Sequence, residues 1–394
     1  MSDFPQDRLV LVPDDIDLTR SPLAGHLDAE TYVLGAFNPG LTRLPNGNLL
    51  MMVRVAEALQ EPMRDGKVHA IRYVPKDQRT GEDEPHPQAG RFVLDAWPLD
   101  LCDTADPRTF ILRGGGWRIL ALTSLSWLLP VELSPDGLEI HAIHYDRAVA
   151  PENSLQIYGI EDARISRVDD RWLMTACSVS PERHSTTLYS SDNGLDWRFE
   201  DIVLDHQNKD MLIFEGRIDG QYWAQTRPLG DLYFAYPPGS DWRAGPSINL
   251  ATSPDALHWK PCRKPGIRPH ARTVATARIG GGAPPILTEE GWLTLWHGVE
   301  PKEIVGIYRT YFSVLDRADP ARVLRTHHHP VLEANPDLTR PIEHQMYVRD
   351  IVFTTGIADG DQGAAVPGHY IVASGEADLA CRITHIPKAF FKAG

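Results

Sequence analysis

The sequence has 394 residues, 42% hydrophobic and 23% charged, with a formal net charge of −14. Such a chain has apolar material for a large core and no basic stretch suited to nucleic acid or an anionic membrane surface. Cys102, Cys177, Cys262 and Cys381 form no CxxC pair, which predicts free thiols rather than a disulfide framework or metal set. The opening MSDFPQDRLVLVPDD is acidic and does not read as a signal peptide. With no apolar run of about 18 residues to cross a bilayer, a cytoplasmic protein is expected.

In chain order, helix is expected only in small pieces near the start. The 31 glycines and 32 prolines punctuate short apolar runs, a pattern of strands and turns. The first clear unit is LTRLPNGNLLMMVRV (41–55), two apolar strands about a tight turn. The polar stretch at 67–92 predicts an inserted loop over one face. The unit then returns as ISRVDDRWLMTAC (165–177), GRIDGQYWAQTRP (216–228) and PPILTEEGWLTLWHG (284–298). A looser copy joins IVFTTGIADG (351–360) to HYIVASGEAD (369–378). SSDNGLDWRF (190–199) and ATSPDALHWK (251–260) form a second repeat, each after one copy of the hairpin.

Five copies of a hairpin with outer strands predict an all-β, five-bladed β-propeller occupying 1–394 as a single domain. A sandwich or mixed α+β fold with similar hairpins is the alternative. The GGG at 280–282 reads as a tight turn, the three histidines at 327–329 as a solvated loop, and TRPIEHQMYV (339–348) as another inserted loop. Trp172 and Trp292 lie inside strand patterns and are expected in the core.

Blades aim the ends of their inner strands at a shared opening, so side chains distant in sequence can converge. Arg54 and Arg227 each follow a turn glycine by seven residues, and His297 follows one by six. Three such groups at equivalent positions suit an anion, unless they are unrelated surface residues. In YGIEDARIS (158–166), Glu161 and Asp162 stand beside Arg164 before an apolar strand. A buried carboxyl there suits a proton donor; an exposed turn with a local ion pair is the other reading. No HExxH or GxSxG is present.

Taken in order, FNPGLTRLPNGNLLMMVRV, IYGIEDARIS, NKDMLIFEGRIDGQYWAQTRP, GGGAPPILTEEGWLTLWHGV, MYVRDIVFTTG and VASGEAD resemble glycoside hydrolase family 130. The resemblance implies a five-bladed propeller with a central active site and β-mannosides as substrates. It gives Asp162 the place of the catalytic acid, which relays its proton through a sugar hydroxyl. It puts Lys209, Arg227 and His297 where the family binds phosphate, and Asn38, Arg54 and Asp378 in the sugar pocket; Glu161, next to Asp162, is also expected to bind substrate. Arg164 is implied either to hold a sugar hydroxyl or to steady Asp162.

Inverting hydrolysis needs a second carboxylate to activate water, whereas phosphate arrives as an anion and needs cations to aim it. The expected reaction is therefore phosphorolysis giving α-mannose 1-phosphate, with inorganic phosphate as co-substrate and no metal or organic cofactor. Family members often assemble, so a homo-oligomer is admitted. Where many members read Phe-Pro-Glu-Lys, this chain has Phe214-Glu215-Gly216-Arg217. That departure raises Glu215 as an alternative base in a β-mannosidase, and leaves a non-catalytic sugar-binding propeller as a third reading. Ala163 also follows the acid, and Ala373-Ser374 replaces a Tyr-Tyr pair.

Overall fold

The computed structural model describes residues 4–78, 86–116, 118–229, 239, 247–264, 266–270, 275 and 278–392. Five antiparallel sheets follow one another along the chain. The first runs, from its inner edge outwards, Thr31–Arg43, Leu49–Leu59, Ser124–Leu133 and Ile140–Ile143. The second runs Ile160–Val168, Arg171–Val179, His184–Ser191 and Arg198–Leu204. The third is built from Asn208–Ile213, Tyr222–Pro228, Asn249–Ser253 and Lys260–Pro261. The fourth is built from Arg278–Gly281, Trp292–Glu300, Ile307–Leu315 and Val323–Leu332, with Ile286–Leu287 also paired to its second strand. The fifth has Val352–Asp359, His369–Glu376 and Ala380–Pro387, and takes its outermost strand, Gln6–Leu11, from the opposite end of the sequence.

Successive side chains of a strand point to opposite faces, and here both faces are covered. Along Leu49–Leu59, Leu49, Met51, Val53 and Val55 pack with Ile371, Ala373 and Ile383 of the fifth sheet. The intervening Leu50 and Met52 pack with Ile165, Met174 and Tyr189 of the second. Further clusters join the second sheet to the third through Leu173, Leu188, Met211 and Ala224, and the third to the fourth through Phe214, Leu250, Trp296 and Tyr311. A last one joins the fourth to the fifth through Leu295, Phe312, Val352 and Val372. Each neighbouring pair thus shares one core layer, and the fifth sheet shares one with the first. Burying a Leu or Phe in these layers is worth about 1.5–3 kcal/mol, so the stacking stabilises strands that would be marginal alone.

The hairpin units fall on the first two strands of each sheet. In the third the inner strand lies further back than the sequence pattern suggests, at Asn208–Ile213, and 216–221 forms the connection. The second repeat links the third and fourth strands of two sheets. Asn193 Oδ1 accepts from the Leu195 and Asp196 amides, and Asp255 Oδ1 from those of Leu257 and His258. Trp172 and Trp292 are core residues, and Cys102, Cys177, Cys262 and Cys381 are free thiols.

Three expectations are corrected. The predicted loop 67–92 opens with the strand Lys67–Val74, which pairs with Met63–Arg64 and Arg91–Pro98; 79–85 lies outside the described residues. A second small sheet, Cys102–Asp103, Thr109–Leu112 and Ile119–Leu122, completes this insertion between the second and third strands of the first sheet. The histidines at 327–329 lie on the strand Val323–Leu332, where His327 stacks on Phe312. Gly280 and Gly281 form an inner strand and not a turn. The longest α-helix among the described residues is Pro336–Thr339, and no helix among them could cross a membrane.

Candidate active site

The inner strands of the first three sheets share one irregularity. Pairing with the second strand slips between Phe37 and Gly40, between Glu161 and Arg164, and between Lys209 and Leu212. The first residue of each slip is left-handed: Asn38 at φ 50°, Asp162 at φ 53° and Asp210 at φ 56°. Asn and Asp adopt this conformation at lower cost than other side chains, and a bulge re-aims what it carries. Here it turns three polar side chains into one cavity of about 390 Å³.

Asn38, Arg54, Glu161, Asp162, Lys209, Arg227, His297 and Asp378 all line that cavity. Arg54, Arg227 and His297 do so from equivalent places, opposite Phe37, Lys209 and Gly280 on the inner strands. Asp162 Oδ1 accepts from Asn38 Nδ2 at 2.8 Å and Arg54 Nη1 at 3.1 Å. Glu161 is held between Arg54 Nη2 and Lys209 Nζ, each at 2.9 Å.

Arg164 lies behind the wall, 1% exposed. It donates to the carbonyls of Asp162 at 2.6 Å and Gly282 at 2.7 Å, and it faces Asp210 Oδ1 at 3.5 Å. Of the two roles open to it, the geometry fits steadying Asp162. Glu215 is not among the lining residues; it sits beyond the other end of its inner strand, near the Arg167 amide at 3.4 Å. An alternative base at Glu215 is thereby excluded from this cavity.

Burial works against a charged Glu161, but Arg54 and Lys209 outweigh it and bring the carboxyl down to about 2. Burial also opposes ionisation of Asp162, and Arg54 again prevails, holding it below the usual carboxylate range. Asp378 goes the other way: burial raises it to about 6 against the pull of Arg54. Burial lowers His297 to about 3, so its imidazole is neutral at physiological pH.

Asp210, absent from the sequence-based set, ties the cationic side together. Its Oδ2 stands 2.9 Å from Arg227 Nη2 and 3.8 Å from His297 Nε2. Gly280 leaves the room for this: a Cβ there would lie 2.4 Å from both Asp210 Oδ2 and His297 Cε1. The signal was present in the sequence. Asn38-Pro39-Gly40-Leu41, Asp162-Ala163-Arg164-Ile165 and Asp210-Met211-Leu212-Ile213 share Asn/Asp three places before an aliphatic residue. Ala163, Ala373 and Ser374, the other departures, are buried and lie off the cavity wall.

A family model described as β-1,4-mannooligosaccharide phosphorylase, that of glycoside hydrolase family 130, matches residues 117–390. The chain belongs to glycoside hydrolase family 130. A β-1,2-mannobiose phosphorylase from Listeria innocua is 31% identical over 358 residues, 86% of this chain and 89% of the relative. A 1,2-β-oligomannan phosphorylase from a Thermoanaerobacter species is 30% identical over 58% of this chain and 70% of its own length. The solved structure of the β-1,2-mannobiose phosphorylase from Listeria innocua, in complex with β-1,2-mannobiose, superposes with a TM-score of 0.77 at 26% identity, covering 98% of both chains. The family 130 match takes in Asp162, Lys209, Asp210, Arg227, His297 and Asp378; Asn38, Arg54 and most of the inserted strands precede it.

His184, Arg108, Tyr308 and Tyr347 also line the cavity and were missed from sequence. His184, Arg108 and Tyr308 lie outside the quoted motifs, and Tyr347 lies within MYVRDIVFTTG without having been singled out. Burial, reinforced by the nearby Lys209 charge, brings His184 down to about 4.

Proposed function

We propose that this chain is an inverting β-mannoside phosphorylase, folded as one five-bladed β-propeller whose blades are the five sheets. The observation that carries the reaction is the charge of the cavity wall. Among the described residues of the wall, five cationic ones (Arg54, Arg108, Lys209, Arg227 and Arg278) meet four acids (Glu161, Asp162, Asp210 and Asp378), an excess of one positive charge in a chain whose net charge is −14. Such a wall suits an anionic nucleophile.

In this reading Lys209, Arg227 and neutral His297 hold phosphate, with Arg227 offering directed donors. A phosphate oxygen attacks the anomeric carbon as the glycosidic C–O bond breaks. The leaving oxygen takes the proton of Asp162, passed through a hydroxyl of the mannosyl ring, and α-mannose 1-phosphate results. Asp162 must carry a proton at that moment. An anion bound nearby opposes the pull of Arg54 and raises the carboxyl's affinity for one. Asn38, Arg54, Glu161 and Asp378 bind the sugar, and Arg164 fixes the backbone that presents Asp162. The phosphorylases among the relatives and family membership support the same reading.

The test is incubation with β-1,2- and β-1,4-mannosides, with and without inorganic phosphate. Mannose 1-phosphate should form only with phosphate, and Asp162→Asn should lower the rate by about a thousandfold. Free mannose released equally without phosphate would overturn phosphorolysis in favour of hydrolysis.

A further inference from the structure

His184 opens the third strand of the second sheet, and its side chain lines the reaction cavity. Gln207, exposed and outside that lining, meets it twice. The His184 backbone amide donates to Gln207 Oε1 at 2.8 Å, and Gln207 Nε2 stands 2.9 Å from His184 Nδ1. The first bond decides the second. Because Oε1 takes the backbone N–H, the other arm of the side-chain amide is its NH2, which only donates. Nδ1 therefore accepts, and the imidazole proton sits on Nε2. Among the described residues Nε2 has no hydrogen-bond partner of its own.

The ring lies at the Lys209 end of the cavity. Thr186, two residues on and so on the same face of the strand, accepts from Asn208 Nδ2 at 3.0 Å. Gln207 and Asn208 thus fasten this strand to the segment that carries Lys209. Among the charges acting on His184, that of Lys209 is the strongest. A phosphate ion has four oxygens that accept hydrogen bonds, and enclosing it favours a donor for each. Lys209 and Arg227 supply charge. A neutral imidazole adds a directed N–H without a further cation.

We propose that His184 is a further phosphate-binding residue, donating its Nε2–H to the anion, and that Gln207 is its positioning residue, fixing the tautomer from outside the cavity. In the opposite tautomer Nε2 would turn a lone pair towards the phosphate and repel it. The proposal rests on the phosphorylase reading for its reaction, but its anion-binding half is read without turnover.

The experiment has two arms. In the first, the full chain, isotope-labelled on its histidine nitrogens, is titrated with inorganic phosphate and followed by NMR, with His184→Phe assigning the resonances. Wild type should show a protonated Nε2 and a bare Nδ1, with a shift at Nε2 as phosphate is added; Gln207→Ala should let the other tautomer appear. The second arm measures KM for phosphate and for the β-mannoside. His184→Phe should raise the phosphate KM about tenfold and Gln207→Ala about threefold, with the mannoside KM changed by less than about twofold. His184→Gln, whose amide nitrogen reaches the place of Nε2, should recover most of the loss. A proton on Nδ1 in wild type, no response to phosphate at Nε2, or a rise in the mannoside KM in place of the phosphate KM overturns the proposal. If no β-mannoside yields mannose 1-phosphate, phosphorolysis falls and the spectra alone decide: a phosphate shift at His184 Nε2 upholds the anion contact, and its absence overturns it.

Discussion

At the seam of the fifth sheet Arg382 meets Asp7 and Glu376; at the heads of the inner strands Arg54 meets Glu161 and Asp162. Both groups are cations between two carboxylates, Arg382 fully buried and Arg54 partly so, yet they are completed differently. Arg382 donates to both Asp7 oxygens at 2.6 and 2.8 Å, to Glu376 at 2.8 Å and to the Glu333 carbonyl at 2.9 Å. The acids are satisfied in turn by Thr384 and the Asn335 amide. Around the cavity, Asn38 Oδ1, Arg227 Nε and His297 Nδ1 are buried and have no hydrogen-bond partner among the described residues. A saturated network spends its hydrogen bonds on the fold; the network at the cavity leaves some of its own unmade, at a cost to stability.

The contrast is sharpest if the two networks are cut separately. Arg382→Met should lower stability by about 3–5 kcal/mol, because it leaves two acids buried without their cation. Its kcat/KM, measured well below the melting temperature, should stay near wild type; a large fall in turnover would erase the distinction. Arg227→Met should do the reverse, raising the KM for phosphate by about thirtyfold, or about 2 kcal/mol, with a smaller change in melting temperature. An unaltered phosphate KM would show that this arginine serves the fold alone.

The smallest effect tests a residue in neither network. Burial pushes Glu215 up to about 7, above the carboxylate range of an unfolded chain. A raised acid favours the folded state only while it stays protonated, so this contribution is lost as pH climbs from about 4 to about 7. Because the side chain is partly accessible, the loss should be only about 1 kcal/mol. Glu215→Gln should therefore melt higher than wild type at pH 8, match it at pH 4 and leave turnover unchanged. A collapse of activity would restore Glu215 as a base.

Much of the architecture was legible because the hairpins carry their own turn chemistry. Gly47, Gly220 and Gly291 all have positive φ, and counting from them put Arg54, Arg227 and His297 in equivalent places. The bulges were missed, and Asp210 with them, because their one mark in the sequence, an Asn or Asp three places before an aliphatic residue, stands out only once the slips in pairing are known. Gly280 looked like part of a turn because the need for it comes from Asp210 and His297, side chains that pairing and packing bring alongside. The inserted strands escaped for another reason: Lys67–Val74 pairs with a short partner and with a segment beginning at Arg91, past a polar stretch that reads as loop. Glu215 was misplaced because position along a strand, which decides whether a carboxylate reaches the cavity, depends on where the strand begins.

The outermost strand of the fifth sheet joins residues 375 positions apart, Asp7 and Arg382. A ribosome making this chain would release the N-terminal partner first, and that strand would wait, unpaired, through the synthesis of four sheets. Closing so large a loop is slow in proportion to the chain entropy it removes. The last contact to form would then also be the natural place for thermal opening to start, and covalently linking the two ends there should slow inactivation more than any change at the centre.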